Sequence, residues 1–276
     1  MKKKKIILII CLVIVVLVAL AFDKRLKTIK YDIDTHKVAS QVRLALVTDL
    51  HSCYYGENQE QLIEKIDKYA PDAVLLGGDI FDDYMDNTNS RIFVKNVAEK
   101  HKTYYVSGNH EWWSGQMYEF FDYMSECGVI ILRGNCDILD VREEKINICG
   151  VDDPDVDVYD TTPVPWVEQL KTASANAPEE NFTVLLTHRP EIAAEYFKYN
   201  FDLALAGHAH GGQFRIPFVL NGFFAPNQGF LPKLAGGEYD FDGKKMIVSR
   251  GLSDEDMKIP RIFNRPELVF VNINPK

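Results

Sequence analysis

The 276-residue chain has few cysteines and no C-x-x-C pair: Cys11, Cys53, Cys127, Cys136 and Cys149 all stand apart. A thiolate zinc site of ordinary spacing is thereby excluded. The thiols read either as free buried side chains or, for Cys127 and Cys136, as a pair in an oxidising compartment; free thiols are the plainer reading. Internal repeats are missing, no low-complexity tract follows the first five residues, and no twin-arginine motif precedes the first apolar run. Basic residues are scarce once the first 30 positions, with eight Lys or Arg and one Asp, are set aside. The remainder holds 23 basic and 39 acidic residues, a net of −16. Such a domain has no electrostatic footprint for nucleic acid, which is not an expected partner. Metal ions or a local positive patch are what would bring a phosphate to it.

Charge is also absent from residues 6–22, "IILIICLVIVVLVALAF", which lie between "MKKKK" and "DKRLKTIK". Seventeen uncharged residues are at the short end of a bilayer span, and no polar face marks the run as a core helix. It reads as a transmembrane anchor. A signal peptide cleaved after Ala21 is the rival, because "ALA" at 19–21 has the small-residue pattern of a cleavage site. Flanking charges nearly balance, with Lys2–Lys5 before the run and Lys24, Arg25, Lys27 and Lys30 after it. A short basic run before a single span commonly stays inside, so the expectation is a single-pass cell-membrane protein with its domain outside the cytoplasm. The expected organisation is a basic N-terminus at 1–5, the anchor at 6–22, a linker and first strand at 23–41, and one domain at 42–276.

Over the whole chain, 46% hydrophobic residues suffice for an ordinary core. Five short apolar runs share one feature. "VRLALVT" leads into Asp49-Leu50-His51, "AVLLGG" into Asp79, and "TYYVSG" into Asn109-His110. "FTVLLT" leads into His188, and "FDLALAG" into His208-Ala209-His210. Nearly continuous apolar runs of this length read as strands buried on both faces. Helical patterns fall between them at 58–70, at 90–100 with Ser90 as a cap, at 114–128 and at 189–199. Alternating strands and helices predict an α/β core, whose ligands bind beyond the carboxyl ends of the strands. "NICGVDD", "KMIVSRG" and "PELVFVNI" add strands without intervening helices, which predicts mixed pairing and two sheets packed face to face.

All five polar clusters fall at predicted strand ends, and five of the seven histidines are in them; His36 and His101 are left over. On a strand, residues i and i+2 point the same way, so Asp49 and His51, or His208 and His210, face one ion or site. Each cluster alone also reads as a turn, since Asn and Asp beside Gly favour turns; five together do not. Carboxylate, imidazole and amide donors without thiolate suit Zn, Fe or Mn. Seven candidate ligands exceed what one such ion takes, and two ions sharing a carboxylate are a standard device for hydrolysing phosphate esters.

The pattern DxH…GDxxD…GNH[DE]…H…GHxH resembles the calcineurin-like metallophosphoesterase superfamily over residues 43–212. The tail "VSRGL…IPRIFNRPELV" resembles its bacterial membrane-associated branch, which includes relatives of UDP-2,3-diacylglucosamine pyrophosphatase. The resemblance implies a four-layer α/β/β/α sandwich, preceded here by the N-terminal transmembrane helix. It assigns Asp49, His51 and His210 to one metal ion, Asn109, His188 and His208 to a second, and Asp79 to both. It makes His110 a donor to the leaving oxygen, oriented by Asp82, and a metal-bridging hydroxide the nucleophile. In the protein-phosphatase branch an Arg follows the second Asp of GDxxD; here Asp83 stands there, against a phosphoprotein substrate. Arg250 and Arg261 are candidates for holding a substrate phosphate. The expected protein is a monomeric phosphodiesterase or pyrophosphatase with two divalent transition ions, acting at the membrane on a phosphorylated small molecule or lipid. A phosphomonoesterase, or a tethered metal-binding module without turnover, are the alternatives.

Overall fold

A computed structural model describes residues 2–253 and 260–276; Met1 and residues 254–259, including Ile259 of the "IPRIF" stretch, lie outside them. Helix α1 (Lys2–Ala21) comes first, then strands β1 (Lys27–Thr35) and β2 (Val42–Val47). Alternation follows through α2 (Glu60–Tyr69), β3 (Ala73–Gly77), α3 (Thr88–Ala98), β4 (Thr103–Val106), α4 (Asn109–Trp113), α5 (Met117–Glu126) and β5 (Ile130–Ile131). The second half runs β6 (Asn135–Val141), β7 (Glu144–Gly150), α6 (Val156–Tyr159), α7 (Trp166–Asn176), β8 (Phe182–Leu186), α8 (Ala193–Tyr196) and β9 (Leu203–Ala206). It closes with β10 (Phe224–Ala225), β11 (Gly229–Phe230), β12 (Gly237–Phe241), β13 (Lys244–Val248) and β14 (Glu267–Pro275).

Two six-stranded mixed sheets result, ordered β1-β14-β2-β3-β4-β5 and β12-β13-β9-β8-β7-β6. The expectation of mixed pairing holds: β14 is antiparallel to β2 and parallel to β1, and β13 is parallel to β9 and antiparallel to β12. Period-2 alternation sorts each apolar run between two cores. Leu44, Leu46, Leu75, Val184, Leu186, Leu203 and Leu205 meet between the sheets. Ala45, Val47, Val74 and Leu76 instead pack under α2, α3 and α5. Leu185, Ala204 and Ala206 pack under α7 and α8. Because both faces are covered, these runs read as continuous rather than alternating. Truncating one such side chain, Leu46→Ala for example, removes about 2–5 kcal/mol.

Several boundaries differ from the sequence reading. Helix α2 starts at Glu60 because Asn58 and Gln59 adopt left-handed backbone. Helix α3 starts at Thr88, so Ser90 lies buried inside it, its hydroxyl donating to the Ile80 carbonyl instead of capping. The expected helix at 114–128 begins only at Met117, after Gly115 turns left-handed. At 189–199 there is a 3₁₀ turn, Pro190–Ile192, and the short α8. The cysteine readings need correction too. Register places Cys136 opposite Cys149 on β6 and β7, Cα atoms 4.0 Å apart, and they form a disulfide. Cys127 caps α5 against the other sheet, out of reach of Cys136.

Candidate metal centre

The five polar clusters do converge at the carboxyl ends of β2, β3, β4, β8 and β9, but not by the strand geometry expected of D-x-H and H-x-H. Those strands stop at Val47, Gly77, Val106, Leu186 and Ala206. Asp49, His51, Asp79, His208 and His210 follow with φ of 51°, 46°, 52°, 65° and 45°. Left-handed backbone at a non-glycine residue costs about 1–3 kcal/mol and persists where surrounding structure enforces it. Loops, not pleats, therefore aim these side chains. Two glycines make the approach feasible: a Cβ at Gly78 would lie 2.5 Å from His188 Nδ1, and one at Gly108 2.2 Å from Asp79 Oδ1.

Asp79 stands at the centre. Its Oδ2 lies 3.0 Å from His188 Nε2 and 3.6 Å from His51 Nε2. On one side Asp49, His51, Asp79 and His210 bring ligand atoms within 4.8 Å of one another; on the other, Asp79, His188 and His208 do the same. His210 Nε2 is 3.6 Å from Asp49 Oδ1, and His208 Nδ1 is 3.2 Å from His188 Nε2. Asn109 opens α4, and the backbone N–H of His110 beside it donates to Asp79 Oδ1 at 3.0 Å. Asp49 Oδ2, His51 Nε2, Asn109 Oδ1 and His210 Nδ1 are buried without a hydrogen-bond partner among the described residues. Each orphan of this kind costs about 1–3 kcal/mol. Four around one cluster of carboxylate, imidazole and amide groups fit divalent cations, whose ligands are these donor types.

The electrostatics agree. Against burial, which disfavours the charged form, the Asp82 hydrogen bond and the charges of Asp79 and Asp49 raise His51 to about 9. Against the same burial, the charge of Asp79 raises His188 to about 10. Burial, then the neighbouring His188, lowers His208 to about 3, and burial with His51 beside it holds His210 well below its ordinary value. Although burial opposes it, the histidines around Asp79 hold its carboxyl well below the usual range. The pocket thus demands positive charge next to Asp79, which cations supply in place of protons.

The orienting carboxylates differ from the expectation. Asp82 Oδ2 is 2.7 Å from His51 Nδ1 but 3.6 Å from His110 Nδ1. Asp83 Oδ1 takes His110, at 2.6 Å. The reason is reach: Asp82 is turned inward, and its Oδ1 is held by the backbone N–H groups of Tyr84 and Met85. Both candidate arginines are buried, and Arg261 lies close enough for its charge to bear on Asp49 and His210. Arg250 is buried and donates to Asn221 Oδ1 at 2.6 Å and to the Gly236 carbonyl at 3.0 Å, tying loops together. Arg261 is buried and donates to the Arg250 carbonyl at 2.8 Å, its Nε and Nη2 unpartnered among the described residues.

Three contributors have roles that the sequence did not assign. The Glu111 carboxylate accepts backbone N–H groups of Asp79, Ile80, Phe81 and Gly108, fastening the Asp79 loop to the start of α4. Burial, then the charge of Asp79, pushes Glu111 up to about 7. Asn227 Oδ1 meets His208 Nε2 at 2.9 Å, which leaves Nδ1 for the cluster. Asn264 Nδ2 donates to the His210 carbonyl at 2.7 Å. Glu111 was legible in G-N-H-E; Asn227 and Asn264 carry no local signal.

Comparison with known proteins agrees with this geometry. An uncharacterized metallophosphoesterase of Helicobacter pylori is 29% identical over 260 residues, spanning 87% of this chain and 62% of the relative. One from Aquifex aeolicus is 27% identical over 260 residues, spanning 91% and 93%. The chain thus covers less than two thirds of the Helicobacter relative but nearly all of the Aquifex one. Among solved structures, Haemophilus influenzae NAD nucleotidase shares the fold at a TM-score of 0.52 and 17% identity, over 78% of this chain and 46% of that one. Thermus thermophilus TT1561 shares it at 0.52 and 14%, over 77% and 91%. The calcineurin-like phosphoesterase family matches residues 42–212, the stretch from β2 through the last histidine of the cluster. The chain belongs to that family of metal-dependent hydrolases of phosphoric esters.

Proposed function

We propose that the protein hydrolyses a phosphodiester or pyrophosphate bond with two divalent transition ions, Mn, Zn or Fe, held on either side of Asp79. The observation that carries this reading is the position of Asp79 Oδ2 between His51 Nε2 and His188 Nε2. Asp49, His51 and His210 would hold one ion, and Asn109, His188 and His208 the other. Bound there, the ions supply an acidified water as nucleophile and positive charge against the phosphoryl oxygens. His110 is the proton donor to the leaving oxygen. Its side chain is one-fifth exposed, where His51 is sealed. With Nδ1–H donated to Asp83, a proton on Nε2 makes an imidazolium whose charge that carboxylate balances. Asp82 fixes the ring of His51, and Asn227 that of His208. The carboxylate of Asp83 also favours a singly charged diester over a dianionic monoester. Arg250 ties the Asn221 and Gly236 loops together, while Arg261, with Nε and Nη2 unpartnered among the described residues, is the arginine left to face a substrate phosphate.

The proposed setting is a membrane. Helix α1 is exposed along its apolar length, and its stretch 6–21 at 1.5 Å per residue gives about 24 Å, at the short end of a hydrocarbon core, with Lys3–Lys5 placed to reach the headgroups. An extracytoplasmic domain is supported by the Cys136–Cys149 bond, which suits an oxidising compartment. The test is full-length protein in detergent, loaded with Mn, Zn or Fe, and assayed on bis(4-nitrophenyl) phosphate, a pyrophosphate diester and a monoester. Diester or pyrophosphate turnover with close to two ions per chain is expected. One ion or fewer under metal-replete conditions would sink the paired-ion assignment, and faster monoester turnover the substrate class.

A further inference from the structure

The segment between the last cluster histidine and β12 has a composition unlike the rest of the domain. From Leu203 to Gly237 no Asp or Glu occurs, and Arg215 and Lys233 are the charged residues, in a domain of net −16. Ile216, Phe218, Val219, Phe223, Phe230 and Leu231 are exposed there, Val219 at 80% and Phe230 at 70%. They are not loosely held. Phe223 packs on Phe230 with ring centroids 5.3 Å apart, Phe224 on Phe230 at 5.4 Å and Phe214 on Phe223 at 6.0 Å. The Leu231 N–H donates to the Phe223 carbonyl at 2.8 Å, and the Ile216–Leu220 turn closes on itself. Other exposed large side chains, such as Tyr84 and Tyr159, stand among carboxylates in sequence; this patch does not. An apolar patch of this kind, anchored on packed rings and free of carboxylates, marks an interaction surface.

Its place in the fold names the partner. Phe214 bridges to Ile262, and the Arg215 N–H donates to the Ile262 carbonyl at 3.0 Å. The next residue, Phe263, donates its N–H to the Ala21 carbonyl at the end of α1, at 2.8 Å. Arg265 adds a bond to the Arg25 carbonyl at 2.7 Å and faces Asp23 at 3.4 Å. The patch is therefore stitched to the point where α1 leaves the domain, among the exposed Arg25 and Lys27. Its other end is stitched to the site, through Asn227 to His208 and through the Phe223 N–H to the Gly212 carbonyl at 2.9 Å.

We infer that residues 213–234 seat on an anionic lipid bilayer beside the anchor and carry the metal centre to lipid-borne phosphoesters. The inference rests on the reading of α1 as a retained membrane span. Apolar side chains at the tip enter the headgroup boundary, the exposed Lys27 and Lys233 meet anionic headgroups, and the absence of carboxylates from the loop spares this face the repulsion the rest of the domain would feel.

The experiment uses the full chain in proteoliposomes of phosphatidylglycerol and phosphatidylcholine with brominated acyl chains. Phe218→Trp and Phe230→Trp should show bromolipid quenching beyond that of the parent, which already carries Trp112, Trp113 and Trp166; Tyr84→Trp should not. Phe218→Asp with Leu231→Asp should lower turnover of a bilayer-embedded diester by about five-fold or more while leaving soluble bis(4-nitrophenyl) phosphate turnover unchanged. A Trp at 218 reached by aqueous iodide but not by bromolipid overturns the inference, as does a detergent-stable dimer that Phe218→Asp dissolves. Carbonate-extractable protein means that the anchor reading has failed and the inference with it. A wild type inert toward the soluble diester defeats the proposed activity alone, since quenching still reports on the loop.

Discussion

His51 and His110 stand edge to face, ring centroids 4.5 Å apart, and each gives Nδ1 to an aspartate from the same loop, Asp82 or Asp83. The two pairs share chemistry and differ in surroundings. His51 is sealed, its Nε2 aimed at Asp79 and without a hydrogen-bond partner among the described residues. His110 reaches the surface, and its backbone rather than its ring serves Asp79. On the proposed reading, an imidazole–carboxylate pair serves as a ligand or as a proton donor according to what its second nitrogen faces. Neighbouring carboxylates in one D-D sequence serve the two ends of that distinction.

The largest effect should come from removing what both pairs surround. Asp79→Ala is expected to abolish metal uptake and turnover together, read by elemental analysis beside the diester assay; retention of two ions would refute the central carboxylate. Next, His110→Ala should cut turnover by about 10²–10⁴, the range for a lost general acid, with metal content at the wild-type level. The loss should shrink with nitrophenolate as leaving group, which needs little protonation. If His110→Ala strips metal, the contrast with His51 collapses. The aspartates sharpen it further. Asp82→Asn should weaken metal affinity about 10–100-fold, measured by competition with a chelator. Asp83→Asn should leave that affinity alone and lower kcat on alkoxide leaving groups by about ten-fold. The reverse pattern would restore Asp82 as the partner of His110.

The smallest effect concerns stability without metal. His51 and His188 are raised on folding to about 9 and about 10, above the ordinary 6.5. Protons therefore favour the folded state. That stabilisation is fully present below pH 6.5 and is lost as pH climbs through 9 and 10. Metal-stripped protein should show a Tm falling over that interval, and metal-loaded protein a flatter profile because the cations displace those protons. A Tm that rises with pH in the stripped protein would contradict the charge balance drawn around Asp79.

Much of the site was legible because its parts sit next to strand-forming runs. "VRLALV" and "FTVLL" read as strands covered on both faces, which places the residues after them at one end of the sheets. The i, i+2 spacing nonetheless does not set how these side chains point. Asp49, His51, His208 and His210 lie past their strands in left-handed loops, and no periodicity encodes a single residue's positive φ. The pairing of Cys136 with Cys149 was equally hidden, for it depends on which residues oppose each other on β6 and β7.

By itself the sequence determined the apolar runs and their two-faced burial, the order of the clusters, the donor types, and the chemical class those donors serve. These are local properties, written in composition and spacing. Tertiary structure alone decided which aspartate holds which histidine, that Asn227 and Asn264 complete the frame around His208 and His210, that Arg250 and Arg261 are buried, and that the acid-free loop is joined through Ile262 and Phe263 to the end of α1. Each of those depends on distances between residues far apart in the chain, set by sheet register and loop closure, which no local pattern of side chains can specify.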